Sequence, residues 1–139
     1  MKKVTIQDAE YVAYKSATAL MDYGEPMPDF ETRYPGKLEA SLEASFTYIS
    51  GKYVYWTLPH RAAVYFYSII KNHPFENGNK RMAVMILLVF LFVNKKWITI
   101  SADDLYVLAK DVAKSSAQDR ETVILSLKKE IKSHLIKIK

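Results

Sequence analysis

The sequence predicts an all-α domain that carries one short β-hairpin. Apolar residues recur at helical spacing along most of the 139 residues, whereas residues 47–56 are rich in β-branched and aromatic side chains around a Ser-Gly pair. A chain of this length is about the size of one domain, and half of its residues are hydrophobic. We therefore expect residues 1–139 to fold as a single domain.

The first part of the chain is predicted to contain two helices joined by a loop. Thr5 followed by Asp8 is typical of a helix start, and apolar positions at helical spacing continue to about residue 22. Glycines and prolines predict a loop over residues 23–37. Helical spacing resumes from Leu38 and ends before the hairpin.

The second part is predicted to contain four helices and one extended segment. Residues 59–72 form the first helix, and residues 82–93 form the second, an unbroken apolar run that we expect to be the central helix, buried on all sides. Residues 97–100 are predicted to be extended, and a capping pattern starts another helix over residues 101–114. A last helix is predicted from residue 119, with apolar residues on one face as far as Leu135.

Composition excludes several classes of function. The chain has no cysteine, so it has no disulfide framework, no zinc-thiolate site and no cysteine nucleophile, and we expect a cytoplasmic protein. The basic start lacks an apolar core of signal-peptide length, and the apolar run is shorter than the ~20 residues that span a bilayer. The net charge of +5 is concentrated in lysines of the last helix, so nucleic-acid binding is not favoured.

The most informative segment lies between the two central helices. Residues 73–81 read His-Pro-Phe-Glu-Asn-Gly-Asn-Lys-Arg. Gly78 allows a sharp turn, so the amides of the next three residues can open the second helix and point at an anion. His73 precedes the turn, and an imidazole with an unperturbed pKa near ~6.5 is suited to taking a hydroxyl proton at neutral pH. The segment therefore predicts a general base beside a phosphate site.

These residues resemble the signature of the Fic/Doc family, His-x-Phe-x-(Asp/Glu)-(Gly/Ala)-Asn-(Gly/Lys)-Arg. Lys80 lies where AMP-transferring members have glycine and the death-on-curing (Doc) toxins have lysine. The resemblance therefore implies the Doc branch and a helical Fic/Doc-like domain with a hairpin flap before the catalytic helices. The positions that agree with the signature are His73, Phe75, Gly78, Asn79, Lys80 and Arg81.

By this resemblance, the chain transfers phosphate from a nucleoside triphosphate to a Ser or Thr hydroxyl of a target protein, such as a translation factor. ATP is the expected substrate and Mg²⁺ the expected metal. His73 would be the base, Gly78 and Asn79 would bind phosphate, and Lys80 and Arg81 would bind phosphate and neutralise charge during catalysis. The resemblance also implies a small antitoxin protein that binds in trans.

Two other readings stay open because the chain departs from the signature at the metal position. The acidic residue that holds Mg²⁺ in the family is Asn77 here, and the second arginine of AMP-transferring members is Val84. Because Asn77 brings no charge to the metal, the chain could be a catalytically weak Fic-fold protein that acts by binding. An AMP-transferring Fic enzyme is the other alternative, although the second arginine is missing. A basic helical domain that binds nucleic acid is a further alternative, from a different class of function.

The roles of several aromatic and histidine residues are also predicted. By resemblance, the hairpin is a flap that clamps an extended segment of the target, although its aromatic residues could equally pack as a loop cover. Phe75 is expected to anchor the motif loop in the core. His60 and His134 have no ligand partner at suitable spacing and are read as structural. The flap candidates are Tyr48, Tyr53, Tyr55 and Trp56.

Overall fold

In a computed structural model, the chain is described at residues 1–20 and 27–138. Most of these residues are helical, and two small antiparallel strand pairs complete the fold, which confirms the predicted fold class. The helices are α1 (Ile6–Asp8), α2 (Lys15–Leu20), α3 (Lys37–Glu43), α4 (Leu58–Asn72), α5 (Asn79–Val93), α6 (Ala102–Lys114) and α7 (Arg120–Ser133). The strands are β1 (Tyr48–Ile49), β2 (Lys52–Tyr53), β3 (Lys96–Ile98) and β4 (Leu135–Lys137).

The N-terminal helix begins where its capping residues predict. The Thr5 hydroxyl accepts the Asp8 N–H, and the Asp8 carboxylate accepts the Thr5 N–H, each at 3.0 Å. Between α1 and α2 the helix widens into a π-helical segment over Ala9–Tyr14, which apolar spacing did not predict. The expected end of this helix near residue 22 and the first residues of the predicted loop lie outside the described residues.

The core is centred on α4 and α5, which pack against each other. Thr57 caps α4 by accepting the His60 N–H at 3.3 Å, and the stretch from Arg61 to Ile70 is buried throughout. We predicted that α5 is buried on all sides. This prediction was wrong at its C-terminal end, where Phe92 is 62% exposed. Among the described residues, no helix is both long and apolar enough to cross a membrane.

The C-terminal end departs from the helical prediction. α7 ends at Ser133, and Leu135 pairs with Ile98 in the β3–β4 ladder. The predicted continuation of the helix through Leu135 was therefore wrong. The extended segment predicted over residues 97–100 is present in part, as β3 over Lys96–Ile98. Helical spacing reports only local preference, and the strand partner of β4 lies far away in the sequence. The carbonyl of His134 accepts the Thr99 N–H at 2.9 Å where the chain leaves the helix.

The side chain of His60 is held at the junction of the hairpin, α4 and α7. Its ring packs on Tyr55 with centroids 4.8 Å apart, and its Nε2 is buried without a hydrogen-bond partner in the described part of the chain. Burial lowers the pKa of His60 below its usual 6.5, and the positive charge of Lys128 lowers it further, while Glu121 opposes the shift. This environment holds His60 in its neutral form.

We expect acidification to destabilise the fold through His60. Because the folded-state pKa lies below the unfolded value, the unfolded chain binds more protons as the pH falls. The stabilising contribution is therefore complete above the unfolded pKa of 6.5 and is lost as the pH falls through it toward the folded pKa. Urea unfolding at about pH 7.5 and about pH 5.5 should show a larger loss in wild type than in His60→Gln, which stays neutral throughout. Equal losses in the two proteins would contradict this assignment.

Candidate active site

The motif loop, defined as residues 73–81, joins the end of α4 to the start of α5. His73 ends α4 in the left-handed conformation at φ 48° and ψ 62°, and Gly78 precedes α5 at φ 80° and ψ 11°. The predicted sharp turn at Gly78 is therefore confirmed. A histidine at positive φ is uncommon, and such conformations persist where surrounding contacts fix them. The loop contains those contacts.

Asn79 fixes the motif loop from inside. Its Oδ1 accepts the Phe75 N–H at 2.9 Å, and its Nδ2 donates to the Phe75 carbonyl at 2.8 Å. The same Nδ2 lies 3.3 Å from Nδ1 of His73, and the Asn79 residue is only 7% exposed. These contacts favour a positioning role, because the amide that was predicted to bind phosphate is directed at the loop itself.

The orientation of the Asn79 amide also specifies a tautomer of His73. Since Oδ1 is committed to the Phe75 N–H, Nδ2 faces the imidazole and Nδ1 of His73 is the acceptor. In neutral histidine this arrangement leaves the proton on Nε2. For Nε2 to take a proton from a hydroxyl, the proton must instead lie on Nδ1. A base at Nε2 would therefore require a change of tautomer that breaks the His73–Asn79 contact.

Phe75 anchors the loop in the core, as predicted. It is fully buried, with its ring 5.8 Å from that of Phe30 and 6.2 Å from that of Tyr14. The neighbouring carbonyl of Pro74 accepts the Tyr34 N–H at 2.8 Å. The loop is thus attached both to the N-terminal helix and to the segment that precedes α3.

That preceding segment, residues 27–36, covers part of the motif loop. The sulfur of Met27 fills the space that a Cβ at Gly78 would need, so a side chain there would displace it. Tyr14 of the π-helical segment holds this region by donating its hydroxyl to the Pro28 carbonyl. The sequence indicated only a loop here, and the single clue to a larger role was the presence of apolar residues among the glycines and prolines.

The two basic residues after Gly78 have different environments. Lys80 is half-buried in the first turn of α5. Arg81 is 4% exposed, and its Nη2 donates to the Ala17 carbonyl of α2 at 2.7 Å. Arg81 therefore ties α5 to the N-terminal helix, and its charge reaches the loop from the protein side.

The expected metal position has an amide in place of a carboxylate. Asn77 and Glu76 are both exposed at the tip of the loop. In the parts of the chain that the structure describes, no three His, Cys, Asp or Glu side chains lie close enough to hold a metal ion. The donors fit Mg²⁺ only as a cation held mainly by phosphate oxygens, with Asn77 offering one neutral oxygen.

The hairpin predicted to act as a flap is present but lies far from His73. β1 pairs with β2, and Tyr48, Tyr53 and Trp56 are 59%, 49% and 75% exposed. The guanidinium of Arg61, near the start of α4, lies over the Tyr53 ring at 4.8 Å from its centroid. His73 follows Arg61 by 12 residues, or about 18 Å along the helix. The structure therefore does not bring these aromatics to the motif loop. Tyr55 is half-buried and accepts a hydrogen bond from Arg120 at 3.3 Å.

Comparison with protein families gives the decisive finding. A family model described as the Fic/DOC family matches residues 7–91, which include the N-terminal helix, both central helices and the motif loop. The chain belongs to the Fic/Doc family. Fic/Doc proteins are nucleotide-dependent transferases that act on other proteins, so the fold and the loop described above are those of a transferase family. Searches of curated proteins and of solved structures gave no significant match.

Within this Fic/Doc chain, the signature residues divide into a buried set and an exposed set. The buried set holds the loop and the start of α5 in place, whereas the exposed set can meet a ligand. The buried residues are Phe75, Gly78, Asn79 and Arg81. The exposed residues are His73, Glu76 and Asn77, and Lys80 is half-buried. The signature therefore combines residues that hold the loop in place with residues that are exposed to a ligand.

Proposed function

We propose that this Fic/Doc protein transfers the γ-phosphoryl group of a nucleoside triphosphate, with ATP as the substrate, to a Ser or Thr hydroxyl of a target protein. The observation that carries the proposal is Lys80 in the first turn of α5, directly after the turn at Gly78 and Asn79. A lysine side chain at this position obstructs the pose in which an α-phosphate lies against the helix start. It favours presentation of the γ-phosphate instead.

In this mechanism, the target hydroxyl attacks the γ-phosphorus in line with the leaving oxygen. The new oxygen–phosphorus bond forms as the bond to the β–γ bridging oxygen breaks, and a nucleoside diphosphate leaves. His73 takes the hydroxyl proton at Nε2, after the ring has exchanged its proton to Nδ1. The amides that follow Gly78 and the ammonium of Lys80 hold phosphate oxygens, and the buried charge of Arg81 supports them from beneath.

Mg²⁺ would neutralise charge on the phosphate oxygens when bound. Asn77 is the proposed protein ligand, through its amide oxygen, with Glu76 next to it on the exposed tip. Because the cation gains no formal charge from Asn77, it depends more on the nucleotide than a carboxylate site does. This feature favours a second candidate function, a weakly catalytic Fic-fold protein that acts by binding.

The proposal also covers where the protein acts, what inhibits it and how the target binds. The chain would act in the cytoplasm as one domain spanning residues 1–139, with a small antitoxin supplied in trans. The hydroxyl-bearing segment of the target, such as a translation factor, would pass over residues 27–36, which lie against the motif loop. A longer target could reach the exposed aromatics of the hairpin as well, including Tyr48 and Trp56.

Parallel reactions with γ-labelled and α-labelled ATP test the transferred group. We expect label on acceptor proteins from a proteome extract only with γ-labelled ATP, and only when Mg²⁺ is present. Mass spectrometry of the modified protein should show a phosphate adduct. Lys80→Gly should reduce γ-transfer, because the charge that holds the phosphate is lost.

Two results would contradict the proposal in different ways. Label from α-labelled ATP, with an AMP adduct on the acceptor, would identify an AMP transferase. Absence of label from both nucleotides, together with nucleotide binding that does not change with Mg²⁺ in either wild type or Asn77→Asp, would favour the binding protein.

A further inference from the structure

An open apolar groove runs along the C-terminal half of α5, away from the motif loop. It lies between α5 and the N-terminal helix, and it has a volume of about 270 Å³. Phe92, Val12 and Trp97 on its walls are 62%, 47% and 37% exposed. The floor is formed by Met85, Leu88 and Val89.

The α5 side of this groove has the pattern of a helix–helix interface. Met85, Leu88, Val89 and Phe92 recur at spacings of three and four residues, which place them on one stripe of the helix. Leu88 and Val89 of this stripe are already packed in the core, whereas Phe92 stays open beside Val12 and Trp97. From Met85 to Phe92 the stripe extends about 10 Å, or two helical turns. A partner helix of similar length would cover it.

One end of the groove is positively charged. The apolar channel continues into a wider hollow of about 720 Å³, with which it shares Asp8, Phe92 and Val93, and whose rim includes Lys2, Lys3 and Lys95. Lys3 pairs with Glu43 at 3.0 Å, and Asp8 adds one negative charge to the lining. Lys2 and Lys95 therefore leave the rim with a small positive excess.

The backbone beneath these two lysines is held in place by hydrogen bonds. Asn94 accepts the Lys2 N–H at 2.8 Å and donates to the Lys2 carbonyl at 2.9 Å. The Lys95 carbonyl accepts the Ile138 N–H at 3.1 Å. The backbone of the charged rim is therefore preformed, and only the lysine side chains need ordering when a ligand binds.

We infer that this groove docks an amphipathic helix of a partner protein, with its apolar face in the groove and acidic residues at the end that lies over Lys2 and Lys95. The concave apolar wall fits a helix better than a flat bilayer surface, and the basic rim complements negative charge. Phe92 is the central anchor. It lies about 17 Å along α5 from Arg81, so docking does not depend on the proposed phosphoryl transfer.

A peptide-display selection on the full-length chain tests this inference. The probe is a library of 16-residue peptides with apolar residues fixed at helical spacing and all other positions random, a length of roughly four turns. We expect the enriched peptides to carry acidic residues at one end. Their affinity should fall at least ~10-fold for Phe92→Glu, and should stay unchanged for Leu125→Glu, a matched substitution of an apolar residue on α7 that is 51% exposed.

A charge exchange separates the basic rim from the apolar anchor. Lys95→Glu should weaken the acidic peptides, and replacing their terminal acidic residues with lysine should restore binding to this variant. Neutral or basic enriched peptides, or peptides that bind Phe92→Glu as well as wild type, would overturn the inference. So would a wild-type dimer in sedimentation that Phe92→Glu dissociates, or Phe92-dependent binding to phosphatidylserine vesicles, because the occupant would then be a second copy or a membrane.

Discussion

Replacing His73 with asparagine should lower the rate of phosphoryl transfer by ~10²–10⁴-fold while leaving the fold nearly as stable. Asparagine cannot accept a proton at neutral pH, so the attacking hydroxyl would lose its base. The substitution suits the site structurally because asparagine tolerates the left-handed conformation at φ 48°. The exposed ring of His73 contributes little packing, and its one described side-chain contact is the 3.3 Å approach to Asn79.

The measurement is the initial rate of γ-label incorporation, with urea unfolding of the same preparations. His134→Asn is the matched control, because His134 is a partly exposed histidine that contacts Glu130 at the end of α7 and has no place in the mechanism. The control should transfer at the wild-type rate. A folded His73→Asn protein that also transfers at that rate would remove His73 from the reaction.

Local features of the fold were predictable because their causes are local. The capping patterns at Thr5 and Ser101 rest on side chains three residues apart, and both form as expected. The turn at Gly78 follows from backbone freedom at one residue. The burial of Phe75 follows from an aromatic side chain in an otherwise polar loop.

Features that depend on distant residues could not be predicted in the same way. Leu135 continues the apolar face of α7 in the sequence, yet it pairs with Ile98, and only the folded chain brings these two segments together. Residues 27–36 reach the motif loop through contacts to Gly78 and Pro74, which no spacing rule encodes.

The position of the hairpin relative to His73 also could not be predicted from the sequence. It precedes α4 in the chain by a few residues, and chain order by itself suggested that it would lie beside the site. The packing of the hairpin decides otherwise, because Tyr53 lies against Arg61 near the start of α4 and His73 follows the end of this 15-residue helix. Proximity along the chain is a poor guide to proximity in space wherever a long helix intervenes.

Asn79 is the residue at which a signature position and a stability determinant coincide, and Asn79→Ala should destabilise the protein by about 2–6 kcal/mol. The substitution leaves the N–H and the carbonyl of Phe75 buried and unsatisfied, since both are hydrogen-bonded to the Asn79 side chain. Each unsatisfied buried group costs about 1–3 kcal/mol.

Asn94 provides an internal control with nearly the same hydrogen bonds. Its Oδ1 accepts the Lys2 N–H, and its Nδ2 donates to the Lys2 and Phe90 carbonyls. Because Lys2 is exposed, water can replace the two bonds to its backbone, and only the bond to the Phe90 carbonyl is part-buried. Asn94→Ala should therefore lower the free energy of unfolding by less than Asn79→Ala does. Urea unfolding of both variants compares the same chemical deletion in a buried and an exposed setting. Equal costs would show that the motif loop is solvated in solution, and the positioning role of Asn79 would then have to be abandoned.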